Sequence, residues 1–169
     1  MLMVTAGWPA PPGTAGESTV VRWPDALHQM RHLGPDTYDA DYALLTETPI
    51  TITAQHVTDE WSDLPLLYPL DDAASDDDIG ARYSLVLSDQ LSGMAMDPEL
   101  RDRYATAAAR FAEAANYPAA RYVHPLRPGQ IILLDNNRFG HGRLPFPETR
   151  PADNGTDVSP RTLWSTVLS

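Results

Sequence analysis

Cysteine is absent from the 169 residues. That rules out disulfides and thiolate metal sites. Lysine is absent as well, and all 12 basic residues are arginine. Together with frequent Ala, Pro and Asp, this is the usage of a GC-rich genome, a statement about codons and not about function. No apolar run reaches the roughly 18 residues that a membrane span needs. The start, Met1-Leu2-Met3-Val4-Thr5-Ala6, has neither the basic flank nor the apolar length of a secretory leader. Positive charge is scarce against 23 acidic residues, and the net charge is −11. A field of that sign disfavours nucleic acid and anionic membranes as partners. A soluble, cytoplasmic globular protein is expected, and the length suits one domain with a core of its own.

What is present reads mostly as short strands between long loops. Leu2 to Ala6 is a short apolar segment, and Gly7 to Gly16 a Pro/Gly-rich loop. Gly16 to Val21 leads into a second strand rich in β-branched residues. Pro24 suits a first helical position, and the spacing of Ala26, Leu27 and Met30 predicts a helix to about Leu33, ended by Gly34-Pro35. Asp36 to Tyr42 reads as a helical turn or loop. Ala43 to Val57 is expected to be strand-like, because Ile50-Thr51-Ile52-Thr53 alternates with period 2. Asp71 to Asp78 is an acidic run without the ligand spacing of a calcium loop, and a solvated loop is expected there. Ala81 to Leu87 is expected to be a strand.

The clearest helix begins after Asp97. Asp97 caps it, Pro98 opens it, and Leu100, Tyr104, Ala107, Ala108, Phe111 and Ala115 recur at helical spacing until Asn116-Tyr117-Pro118. Tyr122 to Leu126, Gln130 to Leu134 and Thr162 to Leu168 complete the strands. The sum is a β-sandwich or jelly roll with added helices, one good helix lying outside it.

The chemistry concentrates in Leu126 to Arg143. Pro128-Gly129 turns the chain, Ile131 to Leu134 is expected to be a buried strand, and Asp135-Asn136-Asn137 ends it. His141 follows between Gly140 and Gly142, which allow the backbone a close approach. Of the other four histidines, His28 and His32 share a helix face at i, i+4, without the glutamate of a metalloprotease pair. His56 and His124 stand alone in sequence.

The stretch L-R-P-G-Q-I-I-L-L-D-N-N-R-F-G-H-G-R, Leu126 to Arg143, resembles the C-terminal motif of the Fe(II)/2-oxoglutarate-dependent oxygenases, the TauD/clavaminate synthase-like branch in particular. Gly16-Glu17-Ser18-Thr19 is similar to that family's "GGET" turn. The resemblance is strong over Leu126 to Leu168, moderate over Leu2 to Leu33 and thin between. It implies a double-stranded β-helix (jelly roll, cupin-like), mainly β with flanking helices, over residues 1–169. It implies Fe(II) and 2-oxoglutarate as cofactors, with His141 as an iron ligand. Arg161, or less well Arg150, would clamp the far carboxylate of 2-oxoglutarate through a guanidinium fork. Ser18, or Thr19 with the register shifted by one, would offer that cosubstrate a hydroxyl. Arg138 and Arg143 would lie at the mouth of the site, orienting a substrate carboxylate or tying the loop down. The implied reaction is a hydroxylation or related oxidation of an amino-acid-like small molecule, often in secondary metabolism.

Fe(II) in this family is held by two histidines and a carboxylate. The other two ligands come from an H-x-D or H-x-E pair, and none of the five histidines here is followed by that pattern. A missing N-terminal segment, a partner chain, a second copy or an unorthodox residue such as Glu17 or Asp25 would have to complete the set. The alternative is a non-catalytic pseudo-oxygenase serving as a binding or scaffold subunit. A cupin-like enzyme using several histidines is a third, weaker possibility. An open edge at Leu2 to Ala6 is expected to pair with another chain, giving a homo- or hetero-oligomer.

Overall fold

The computed structural model describes residues 2–6, 17–53, 60–70, 78–83, 87–126, 130–144 and 162–166. In chain order the elements are β1 (Leu2–Ala6), β2 (Ser18–Arg22), α1 (Trp23–Leu33), α2 (Pro35–Glu47), β3 (Ile50–Thr53), β4 (Glu60–Leu64), β5 (Leu67–Pro69), β6 (Ile79–Ala81), α3 (Leu87–Ser92), α4 (Pro98–Asn116), β7 (Arg121–His124), β8 (Ile131–Leu133), β9 (Phe139–Arg143) and β10 (Thr162–Thr166). They fall into two units. One holds Val21–Arg121 and Asn137–Gly140, the other Met1–Val20, Tyr122–Asn136 and His141–Ser169.

The first unit is built on helices. α4 is the helix expected from its spacing, and the Asp97 carboxylate accepts from the Leu100 N–H at 3.1 Å, so the cap forms as read. Tyr104, Ala107 and Phe111 are fully buried along it. α1 packs there through Trp23, whose ring lies 5.8 Å from that of Phe111. Tyr83 meets the same phenyl ring edge-on at 6.1 Å.

α2 realises the helical alternative at Asp36 to Tyr42 and corrects the expected strand from Ala43. The helix runs to Glu47, the strand covers Ile50–Thr53, and residues 54–57 of the expected strand lie outside the described residues. Tyr38, Asp41 and Leu45 recur on one helical face and are buried. Asp41 ends against Arg110 of α4, 2.9 Å away. Ala43, Leu44 and Leu45 are themselves good helix formers, and the contact with the partner helix adds to that preference.

The expected strand Ala81 to Leu87 is corrected at both ends, where β6 ends at Ala81 and α3 starts at Leu87; residues 84–86 lie outside the described residues. β6 pairs antiparallel with β5, Leu67 opposite Ala81. Arg82 then turns its buried guanidinium onto backbone carbonyls, donating to Pro65 O at 3.1 and 3.0 Å, to Ile50 O at 3.4 Å and to Leu64 O. One arginine side chain thus gives hydrogen bonds to carbonyls at the end of β4 and in the turn before β5.

The second unit contains a three-stranded antiparallel sheet ordered β10-β1-β8. β1 lies in the middle. Leu2 to Ala6 pairs with Thr166 to Thr162 on one side, and Leu2 to Val4 with Leu133 to Ile131 on the other. The open edge expected at the N-terminal strand is therefore corrected: Leu2 to Val4 have both sides of their backbone engaged and leave no edge for a partner chain. The buried strand expected at Ile131 to Leu134 is corrected as well. Ile131 is 54% and Leu133 68% exposed. A short apolar run fixes a strand but not which face is covered.

Among the described residues α2 and α3 join the two helices expected from the sequence, and α1, α2 and α4 pack on one another through the core. β7, β2 and β9 form a further sheet in that order.

Candidate active site

The site residues follow from the register of β2 and β9. Leu144 N donates to Glu17 O at 2.9 Å, and Trp23 N to Arg138 O at 3.3 Å. As one residue number rises by six the other falls by six, so the strands run antiparallel in one unbroken register. Opposite residues share a face. Ser18 therefore stands opposite Arg143, and Val20 opposite His141. Ser18, His141 and Arg143 lie on one side of the pair, and Glu17, Thr19 and Val21 on the other.

The glycines confirm the pairing. A Cβ on Gly140 would come within 2.7 Å of two Trp23 ring carbons and 2.9 Å of Val21 Cγ1. A Cβ on Gly142 would come within 3.0 Å of Thr19 Oγ1. The close approach that these glycines permit is thus to side chains of the neighbouring strand and the helix after it.

His141 keeps solvent exposure on β9, yet enough protein surrounds the ring that desolvation lowers its pKa from the ordinary 6.5. A neutral imidazole is the form that binds metal. Ser18 is fully buried, and its Oγ has no hydrogen-bond partner among the described residues. Buried hydroxyls are nearly always paired, so an orphan beside a candidate metal ligand marks a place for a polar group from outside the described residues. Thr19, the alternative to Ser18, faces away from His141 and packs on Gly142.

Arg138 does not stand as a lone cation at a site mouth. Its Nη1 donates to Asp78 Oδ2 at 2.6 Å, with both side chains about three-quarters covered. Asp78 was expected to be part of a solvated acidic loop and is corrected by this pair. No local signal reveals it, because 60 residues separate the two. Arg143 is half-buried on β9. Arg161 and Arg150 lie outside the described residues.

For iron the fit is incomplete. Among the described residues no group of three or more His, Asp or Glu is placed to hold a metal ion. Glu17 belongs to the face opposite His141, which removes it as an unorthodox third ligand. Asp25 sits in the first turn of α1. His28 and His32 are exposed on α1, and His124 is exposed on β7. For a carboxylate cosubstrate the orphan Ser18 hydroxyl fits. Among the described residues no helix is long and apolar enough to cross a membrane.

The family model described as "Taurine catabolism dioxygenase TauD, TfdA family" matches residues 11–164. Among solved structures, the chain is similar to an asparagine oxygenase in complex with Fe(II), 2S,3S-3-hydroxyasparagine and succinate, at 22% identity and a TM-score of 0.53. The alignment covers 96% of this chain and 42% of that one, so the chain spans less than half the length of that relative. No curated protein matches the chain. With nearly its whole length inside one family model, the chain belongs to the TauD/TfdA family of Fe(II)/2-oxoglutarate-dependent oxygenases.

Proposed function

We propose that this chain carries the cosubstrate-binding part and one iron ligand of an oxygenase that oxidises an amino-acid-like small molecule. The observation that carries this reading is the pairing of Ser18 and His141 on one face of β2 and β9, the serine hydroxyl buried and unpartnered. His141 is the metal ligand. Ser18 donates to a carboxylate of 2-oxoglutarate, with Thr19 set aside by its face, and Arg161 forms the fork on the far carboxylate. Arg143, on the face of His141, orients an anionic group of the substrate. The remaining histidine and carboxylate come from a segment or partner chain outside the described residues.

The similar structure names hydroxyasparagine as its ligand, and that supports an amino-acid-like substrate. The same similarity supports a single jelly-roll domain, a double-stranded β-helix completed by further strands. A cytoplasmic natural-product pathway suits an acidic chain without cysteine. When bound, iron and 2-oxoglutarate supply oxidising power through O₂, yielding succinate and CO₂. This chain's own part is to hold and orient.

Anaerobic titration with 2-oxoglutarate tests the reading, first without metal and then with Fe(II). Binding of 2-oxoglutarate that weakens about tenfold in Ser18→Ala, the loss of one hydrogen bond to a charged group, is the expected result. Equal binding by both forms would overturn the assignment of Ser18. The visible band of an iron chelate is expected only when a polypeptide bearing the other two ligands is added. A second reading is favoured by the lack of three metal donors among the described residues. In it the chain is a pseudo-oxygenase subunit that binds the carboxylate alone, and no such polypeptide restores the band.

A further inference from the structure

The sheet β10-β1-β8 carries no charge. Leu2–Ala6, Ile131–Leu133 and Thr162–Thr166 contain no acidic or basic residue, in a chain with 23 acidic residues, 12 arginines and a net charge of −11. Ile131 and Leu133 alternate along β8, so they lie on one face, and they are 54% and 68% exposed. The register extends that face across the sheet. Val4 and then Trp164 stand in line with Ile131, and Leu2 and then Thr166 stand in line with Leu133. All of these positions except Thr166 hold apolar residues. Among the described residues the other uncharged sheet, β5–β6, has Leu67, Ile79, Gly80 and Ala81 buried and offers no such face.

We propose that this face is the contact between two copies of the chain, packed sheet on sheet about a two-fold axis. The charge distribution selects the occupant. Two molecules at −11 repel each other wherever acidic surfaces meet, and like charges brought together are costly. At this sheet no charged residue of one copy faces one of the other, and each copy offers the same row of apolar positions to its partner. Sheets that stack in this way interleave the side chains of their inner faces. β1 lies in the middle of the sheet, so the contact uses a face and not the strand edge expected at the N-terminus. The remaining repulsion acts at a distance through solvent, where salt screens it. A three-stranded face is small, which puts the dimer among weak, concentration-dependent associations. The inference uses neither His141 nor Ser18 and goes beyond the proposed oxygenase role.

Sedimentation velocity of the full chain without metal, from about 1 to about 200 μM, tests the contact. The expected result is one reversible step from the 18.6 kDa monomer to a dimer. The dimer should be roughly tenfold tighter in about 0.5 M NaCl than in about 0.05 M, because screening removes repulsion and no ion pair is lost. Ile131→Thr and Leu133→Thr keep strand-forming residues, and each should weaken the dimer by at least roughly tenfold, since a two-fold contact carries every change twice. In the dilute monomer their urea midpoints should match the parent, because both side chains are exposed there. Leu64→Thr, at a leucine 51% exposed on β4, should leave the dimer unchanged. A chain that stays monomeric throughout would overturn the proposal and leave the face to a different polypeptide. Association that runs on past the dimer, that weakens as salt rises, or that ignores both β8 variants overturns it as well. Because no step uses iron or 2-oxoglutarate, failure here leaves the cosubstrate test untouched.

Discussion

Ser18 and His141 share one face of the β2–β9 pair, one strand apart, while Thr19 next to Ser18 points the other way onto Gly142. Side chains alternate along a strand, so a shift of one residue would reverse every assignment. Two hydrogen bonds six residues apart fix that register.

Ser18→Ala separates a structural from a ligand role. The hydroxyl is buried without a partner among the described residues, so its removal relieves a desolvation cost and breaks nothing. Stability in urea should stay the same or rise by up to about 1 kcal/mol. A loss of that size would mean that the hydroxyl holds the fold.

Gly140→Ala should be among the most damaging small changes. The added carbon meets the buried Trp23 ring and Val21 at once. Overpacking of this kind costs about 1 to 3 kcal/mol. Gly142→Ala, which meets only the Thr19 hydroxyl at 3.0 Å, should cost less. Urea midpoints for the pair check the order, and equal midpoints would contradict the register.

Asp41→Asn should loosen α2 from α4. Asp41 is buried, but Arg110 is 44% exposed at its side chain, so solvent screens part of the pair. We expect a loss of about 1 kcal/mol that shrinks in high salt. Arg110→Gln should give a similar loss, and the two should not add.

His141 should make stability depend on pH in one direction. Its pKa is lowered in the folded chain by desolvation, so the unfolded chain takes up the proton first. The contribution is complete above the ordinary value of 6.5 and is lost as pH falls through the lower folded value. His141→Gln should therefore flatten the fall of stability below about pH 6.5 relative to the parent, measured without metal. A steeper fall in the variant would mean that the folded chain prefers the charged ring.

The candidates for the site came from the sequence: the Asp-Asn…His-Gly-Arg string singles out His141, and the resemblance of the Gly-Glu-Ser-Thr turn singles out Ser18, with Thr19 one register step away. Which of the two shares a face with His141 depends on the residue of β9 that stands opposite, and no local spacing states that.

The same division runs through the fold. The sequence by itself determined α4 and its Asp97 cap, α1 with Pro24 at its start, and the strand at Ile131 to Leu133. Local periodicity, capping and proline geometry act within a few residues. The tertiary structure decided which face of α2 is buried, because Arg110 and the α4 face lie far along the chain. It alone placed β1 between two strands, left Ile131 and Leu133 exposed, and brought Asp78 to Arg138. Each of these depends on a partner tens of residues away, and a sequence does not state which distant residues its folding brings together.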